Sequence, residues 1–181
     1  MNVIPTALPQ VLVLEPKVHG DSRGFFLESF NAQGFEAATG RAWAFVQDNH
    51  SRSRRGVLRG LHYQVRQTQG KLVRVVRGAI FDVAVDIRKS SPSFGKWCGI
   101  ELTEENQRQI WVPPQFAHGF LVRSESADVL YKTTDYYAPE HERSILWNDP
   151  AIGIDWGLEV APVLSAKDLD GVPLRQAEVF A

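Results

Sequence analysis

Punctuation by glycine and proline constrains this chain more than any other feature. Its 181 residues include 14 Gly and 10 Pro. With clustered Asp, Asn and Ser, these cut the chain into runs that suit strands better than packed helices. Val11–Leu14, Phe25–Phe30, Val57–Gln64, Lys71–Arg77, Ala79–Arg88, Lys96–Leu102, Gln109–Val112, Ala117–Val122 and Val129–Thr134 read as strands. Turns are expected over Lys17–Gly24, Ser51–Gly56 and Thr103–Asn106. In the strand from Ala79, Phe81, Val83, Val85 and Ile87 fall on one face and Ile80, Asp82, Ala84 and Asp86 on the other. Asn31–Gly40 is the one early helix, ended by Gly40. The tail from Pro139 reads as irregular chain, pinned to the body by Trp147, Ile154 and Trp156. Without helices between the strands a parallel α/β sheet is ruled out. A double-sheet jelly roll or a barrel is predicted.

Length sets one domain over residues 1–181, long enough for a proper core. The net charge of −1 gives no bias towards nucleic acid or a membrane surface, so any anion site must come from local clustering. Cys98 is the only cysteine, which excludes an intrachain disulfide and fits a reducing cytoplasm. Met1-Asn2-Val3-Ile4-Pro5 has no basic start and no apolar core, so no signal peptide is expected. No run approaches a membrane span.

The segment Gln47–Gln64 is chemically unusual for a strand, turn and strand. Arg59, His62 and Gln64 are costly to bury without partners or a ligand. Taken alone, His62 is a satisfied histidine on a polar rim. The same oddity recurs, however, at Lys71, His118, Tyr131 and Lys167-Asp168, as a binding cavity built from strands requires. Five histidines, at 19, 50, 62, 118 and 141, form no His-x-His or His-Glu-x-x-His pattern, so no metal is expected. Cys98 beside Trp97 suits packing, and neither a nucleophile elbow nor a phosphate loop is present. What remains is proton transfer near an anion. His62 can act as a base if Asp168 or Asp170 orients it. Lys71 can stabilise an enolate, and Tyr131 can be a general acid. Arg23, Arg59 and Lys167 can hold a diphosphate. Arg59 and His62 have opposite parity on a regular strand, so both line one cavity only if Gly60 breaks the register.

These residues stand in ordered blocks that cover nearly the whole chain. The blocks are Asp21-Ser22-Arg23-Gly24-Phe25-Phe26-x-Glu28-Ser29-Phe30, Gln47-Asp48-Asn49-x-Ser51-x-Ser53, Gly56 to Gln64 and Gln69-Gly70-Lys71-Leu72-Val73. Pro113-x-x-Phe116-Ala117-His118-Gly119-Phe120, Tyr131-Lys132, Tyr136-Tyr137 and Ser165-x-Lys167-Asp168 follow. The series resembles the dTDP-4-dehydrorhamnose 3,5-epimerase family, the dTDP-sugar epimerases of L-rhamnose biosynthesis. The resemblance implies a mainly β, cupin-type double-stranded jelly roll with a few short helices, acting as a homodimer with no metal or organic cofactor. It implies a cytoplasmic enzyme that inverts C3 and C5 of a dTDP-4-keto-6-deoxy sugar. His62 would be the base, Asp168 its partner, Tyr131 the acid on the other face and Lys71 the enolate stabiliser. Arg23, Phe26, Glu28, Gln47, Asp48, Asn49, Arg59, His118, Glu142 and Lys167 would bind substrate, with Tyr137 stacking on the thymine. Arg23 and Glu28 would reach across the dimer interface. Relatives that epimerise only one carbon share most of these blocks, so a single-site 3- or 5-epimerase or a ketoisomerase of a specialised dTDP-deoxysugar pathway is the alternative among enzymes, and a non-catalytic sugar-nucleotide-binding jelly roll the alternative outside them.

Overall fold

Alternating apolar and polar residues sort the strands into two antiparallel sheets laid face to face. The structure is a computed structural model describing Met1–Ala181. The first sheet has six strands: β1 (Asn2–Pro5), β2 (Leu12–Glu15), β5 (Gln47–Arg54), β7 (Lys71–Arg77), β10 (Gln109–Val112) and β12 (Ser126–Thr133), in the order β1-β2-β10-β7-β12-β5. The second has five: β6 (Leu58–Gln64), β8 (Ala79–Asp86), β9 (Trp97–Thr103), β11 (Phe116–Val122) and β13 (Glu142–Ser144), in the order β13-β6-β11-β8-β9. A separate hairpin joins β3 (Val18–Asp21) to β4 (Gly24–Leu27). Helices are short: α1 (Ala32–Thr39), α2 (Ala166–Leu169) and two 3₁₀ turns. This is the mainly β, cupin-like jelly roll expected. No helix is long and apolar enough to cross a membrane.

Three apolar layers follow from strand parity. Between the sheets lie Val73, Val75, Ile80, Ala84, Ile110, Phe120 and Val129, with Tyr131 packed at their edge. Behind the five-stranded sheet, Leu61, Tyr63, Val83 and Val85 meet the C-terminal segment through Ile152, Trp156 and Leu174. Trp156 is indeed an anchor: it is buried, and its indole N–H donates to the Trp147 carbonyl at 2.8 Å. The faces assigned along β8 are the observed ones, although both are buried. The third layer covers the outside of the six-stranded sheet, where α1 seats Phe35 edge-on against Trp111 and Phe45. Asn31 caps that helix by accepting from Gly34 N–H at 3.0 Å, and Gly40 ends it in the left-handed region at φ 72. Truncating a ring like Phe35 typically costs about 3–5 kcal/mol, so this contact is a main reason α1 docks.

Several boundaries differ from the sequence reading. Ser51–Arg54 belong to β5, and the turn is only Arg55-Gly56. Polar residues persist in this strand because one of its faces lines a cavity. The expected turn Lys17–Gly24 is mostly strand: β3 and β4 form a hairpin around Ser22-Arg23, and β4 stops at Leu27. Its exposed, Gly-containing strands lack the buried face that gives a strand signal. The tail also contains β13, a short strand recruited by pairing to β6, and α2, which holds Asp168.

Candidate active site

The apolar filling between the sheets stops at one end, where a cavity of about 320 Å³ opens. β5 contributes Gln47, Asn49 and Ser51, and β12 places Tyr131 directly opposite Asn49 in register. β7 contributes Lys71, β11 His118, and β6 both Arg59 and His62. That last pair needs the register break, and it is present. The pairing of β6 with β11 shifts between His118–His62 and Phe120–Arg59. Gly60 sits there at φ +122, where an added Cβ would lie 2.6 Å from the Gly119 Cα. Only glycine fits such a close backbone approach.

His62 Nε2 lies 2.8 Å from Asp168 Oδ1, although off the line of a straight N–H hydrogen bond. Asp168, not Asp170, is therefore the carboxylate in contact with His62. It is itself fixed from both sides, accepting from Gly60 N–H at 2.9 Å and from the Ser165 hydroxyl and N–H at the start of α2. Burial alone would raise the Asp168 pKa. The contact with His62, the Ser165 hydroxyl and the Gly60 N–H outweigh it and hold the carboxyl well below its usual range. Burial pushes the His62 imidazole below 6.5; Asp168 opposes this, while Lys167 and Lys71 add to it. At neutral pH His62 is thus an unprotonated base with a carboxylate ready to stabilise its imidazolium.

On the facing sheet, burial raises the Tyr131 phenol above its ordinary value, against the pull of Arg59. It stays protonated and able to donate. Burial brings Lys71 down to about 8, with Glu142 and Asp82 opposing the fall. His118 stands across the sheet from His62, its Nε2 2.9 Å from both Asp82 oxygens. That leaves Nδ1 as the unengaged ring nitrogen. Glu142 joins two expected binders: Lys167 Nζ donates to Oε1 at 2.8 Å, and Tyr137 Oη to Oε2 at 2.9 Å. Arg59 Nε and Nη2 donate to the Ser53 hydroxyl, which steers a guanidinium with no carboxylate partner towards the cavity.

The structure thus gathers Gln47, Asn49, Arg59, His62, Lys71, His118, Tyr131, Tyr137, Glu142 and Lys167 around one space, with Asp168 behind His62. It does not bring in the other four. Asp48 points to the opposite face of β5 and pairs with Lys132 at 2.9 Å. Arg23 is bound to Asp21 on the β3–β4 hairpin, Phe26 is 70% exposed there, and Glu28 accepts from Asn31. Sequence reasoning missed Ser51 and Gln69 in the wall, Ser53 beneath Arg59, and Asp82 behind His118. Asp82 did carry a signal, a carboxylate between Ile80 and Ala84 on one face of a strand, which demands a partner when buried. No group of three or more His, Cys, Asp or Glu is placed to hold a metal ion.

Comparison with known proteins gives a consistent result. The sequence model of the dTDP-4-dehydrorhamnose 3,5-epimerase family matches residues 5–176. The dTDP-4-dehydrorhamnose 3,5-epimerase of Pseudomonas aeruginosa is 59% identical over 180 residues, covering 99% of both chains. Among solved structures, dTDP-6-deoxy-D-glucose-3,5-epimerase from Legionella pneumophila, in complex with dTDP-4-keto-L-rhamnose, superposes with a TM-score of 0.96 at 54% identity. It covers 98% of this chain and 94% of its own. A 3'-monoepimerase from Streptomyces bikiniensis, in complex with dTDP-quinovose, gives 0.89 at 34% identity, covering 94% and 87%.

Proposed function

The chain belongs to the dTDP-4-dehydrorhamnose 3,5-epimerase family, an isomerase family, and we propose that it inverts C3 and C5 of dTDP-4-dehydro-6-deoxy-D-glucose through an enolate without a cofactor. The product is dTDP-4-dehydro-L-rhamnose. The observation that carries this reading is the cavity's two-sidedness: His62, backed by Asp168 of α2, lies on the five-stranded sheet, and Tyr131 lies on the six-stranded one beside Lys71, whose Nζ reaches across to within 3.5 Å of the His62 carbonyl oxygen. The C4 ketone makes the C–H bonds at C3 and C5 acidic. His62 takes the proton, and the C–H electron pair moves into the ring to form the enolate. Its C4 oxygen gains negative charge beside the Lys71 ammonium. Tyr131 then donates a proton to the carbon from the opposite face, inverting it. Exchange with solvent returns His62 and Tyr131 to their starting states.

Arg59 and Lys167 hold the diphosphate in this reading, and Tyr137 stacks on the base. Two copies pair so that the β3–β4 hairpin of one brings Arg23 and Glu28 to the other's cavity. The hairpin supports this, since its exposed Phe25 and Phe26 leave its own chain's site unserved. A cytoplasmic location accompanies the reading. Incubation with dTDP-4-dehydro-6-deoxy-D-glucose, with product configuration read by NMR, tests it. Inversion at both carbons is expected. One inverted carbon would assign a single-site epimerase, as in the more distant 3'-monoepimerase, and no reaction would leave a binding module.

Two further results are expected. kcat/KM should follow a bell in pH, with an acid limb below 6.5 and an alkaline limb near 8. Activity is lost on the acid side as His62 gains a proton, and on the alkaline side as Lys71 loses one. A rate that rises steadily through pH 8 would contradict the Lys71 role. Arg59→Lys should weaken dTDP binding on the order of tenfold, because an ammonium cannot keep both the Ser53 contact and a forked grip on phosphate. Calorimetric titration showing unchanged affinity would move the diphosphate elsewhere.

A further inference from the structure

Lys71 has three N–H bonds to satisfy, and the protein offers it one long contact. Its Nζ lies 3.5 Å from the His62 backbone oxygen, at the limit of a useful hydrogen bond. The neighbouring carboxylates are already engaged: Glu142 with Lys167 and Tyr137, Asp82 with His118. A partly buried ammonium so thinly served needs further acceptors. A second, smaller chamber of about 20 Å³ adjoins it, sharing His62, Gln69, Lys71 and Glu142 with the main cavity. That is the size of a single-water site, which needs at least about 10–15 Å³ and two to four polar partners. Gln69 is suited to serve it. One N–H of its amide is fixed by the Asp135 carbonyl at 2.9 Å, and its side-chain oxygen, with no donor from the protein, is an open acceptor. The amide of Gln64, also in the wall, is more fully committed: it donates to the Gln67 and Tyr136 carbonyls and its oxygen already accepts from Ala138 N–H.

We propose that this chamber holds one structural water, which accepts a hydrogen bond from Lys71 and donates one to Gln69. Lys71 is then anchored by the His62 carbonyl and the water, and its third N–H is left for the enolate oxygen. Gln69 becomes a positioning residue, acting on the reaction only through Lys71. The inference rests on the reading of Lys71 as the enolate stabiliser. It accounts for how a lysine in this position keeps both its charge and its aim.

The pH profile separates this role from simple packing. The charged and titratable groups around Lys71 are Arg59, His62, Asp82, His118, Tyr131, Tyr137, Glu142 and Lys167, with Tyr63 in the wall of the smaller chamber. Burial raises Tyr131 above the ordinary phenol value and lowers His62, so Lys71 sets the limb near 8. An acceptor stabilises the ammonium and so raises its pKa; removing one lowers it. Gln69→Leu should reduce kcat and move the alkaline limb of kcat/KM about one pH unit lower. Gln69→Glu, which adds a negative charge at the same place, should move it higher. A high-resolution crystal structure of the unaltered protein should show a water within hydrogen-bond distance of Lys71 Nζ and Gln69. A dry chamber, or an alkaline limb unmoved in both variants, would overturn the proposal. The crystal structure decides the matter even if Gln69→Leu does not fold. Lys71→Met is the control: if it turns over at the normal rate, the enolate role of Lys71 has failed. If it is inactive while the Gln69 variants keep the normal limb, only the water has failed.

Discussion

His62→Ala is expected to lower kcat by about 10²–10⁴-fold, the usual contribution of a positioned general base, while the protein stays folded and still binds dTDP. The expectation of an intact fold comes from where the ring sits. It projects into the cavity, whereas its strand neighbours Leu61 and Tyr63 carry the packing on the other side of the sheet. No other base lies at that position: His118 is on the next strand with Nε2 committed to Asp82. Asp168→Asn should be milder for the ring but harder on the scaffold. The amide retains some orienting capacity towards His62, but whichever end carries its nitrogen meets a donor that needs an acceptor: the Gly60 N–H at the Oδ1 position, or the Ser165 hydroxyl and N–H at the Oδ2 position. Steady-state kinetics with circular dichroism on both variants checks this. Near-normal turnover by folded His62→Ala would end the assignment of the base.

Tyr131→Phe should separate two events that normally occur together. The substitution keeps the ring packed at the edge of the inter-sheet core and removes only the hydroxyl. Deprotonation by His62 survives, but delivery from the opposite face does not, and most enolate is reprotonated from the side it came from. In heavy water the variant should therefore wash deuterium into unreacted substrate while forming little inverted product, with inversion falling by about 10²-fold or more. Loss of exchange and inversion together would place Tyr131 in substrate positioning or on the base side. Full inversion at both carbons would remove it as an essential acid.

The residues that define these tests were legible in the sequence to different degrees. The short alternating runs gave the strands, and the parity conflict between Arg59 and His62 required the irregularity seen at Gly60. The choice between Asp168 and Asp170 was not available from spacing, because the contact with His62 joins residues 106 positions apart (168 minus 62) through the fold. β13 was hidden for a related reason: its Glu142–Ser144 run carries no strand pattern and becomes a strand only by pairing with Gln64–His62. Ser51–Arg54 were misread as a turn because polar residues usually mark turns, whereas here Ser51 lines the cavity and Ser53 holds Arg59. Asp82 was placed on the correct face without its purpose being seen, since its partner His118 is supplied by another strand.

Proton bookkeeping at the two reacting carbons tests the central claim most directly. The unaltered protein should be incubated with dTDP-4-dehydro-6-deoxy-D-glucose in heavy water, and the C3 and C5 positions of the product followed by proton NMR. Removal by one group and delivery by another predicts that inverted product carries solvent deuterium at both carbons and that the original hydrogens are lost. Inverted product that retains the substrate's own hydrogen at either carbon would contradict the two-sided enolate mechanism.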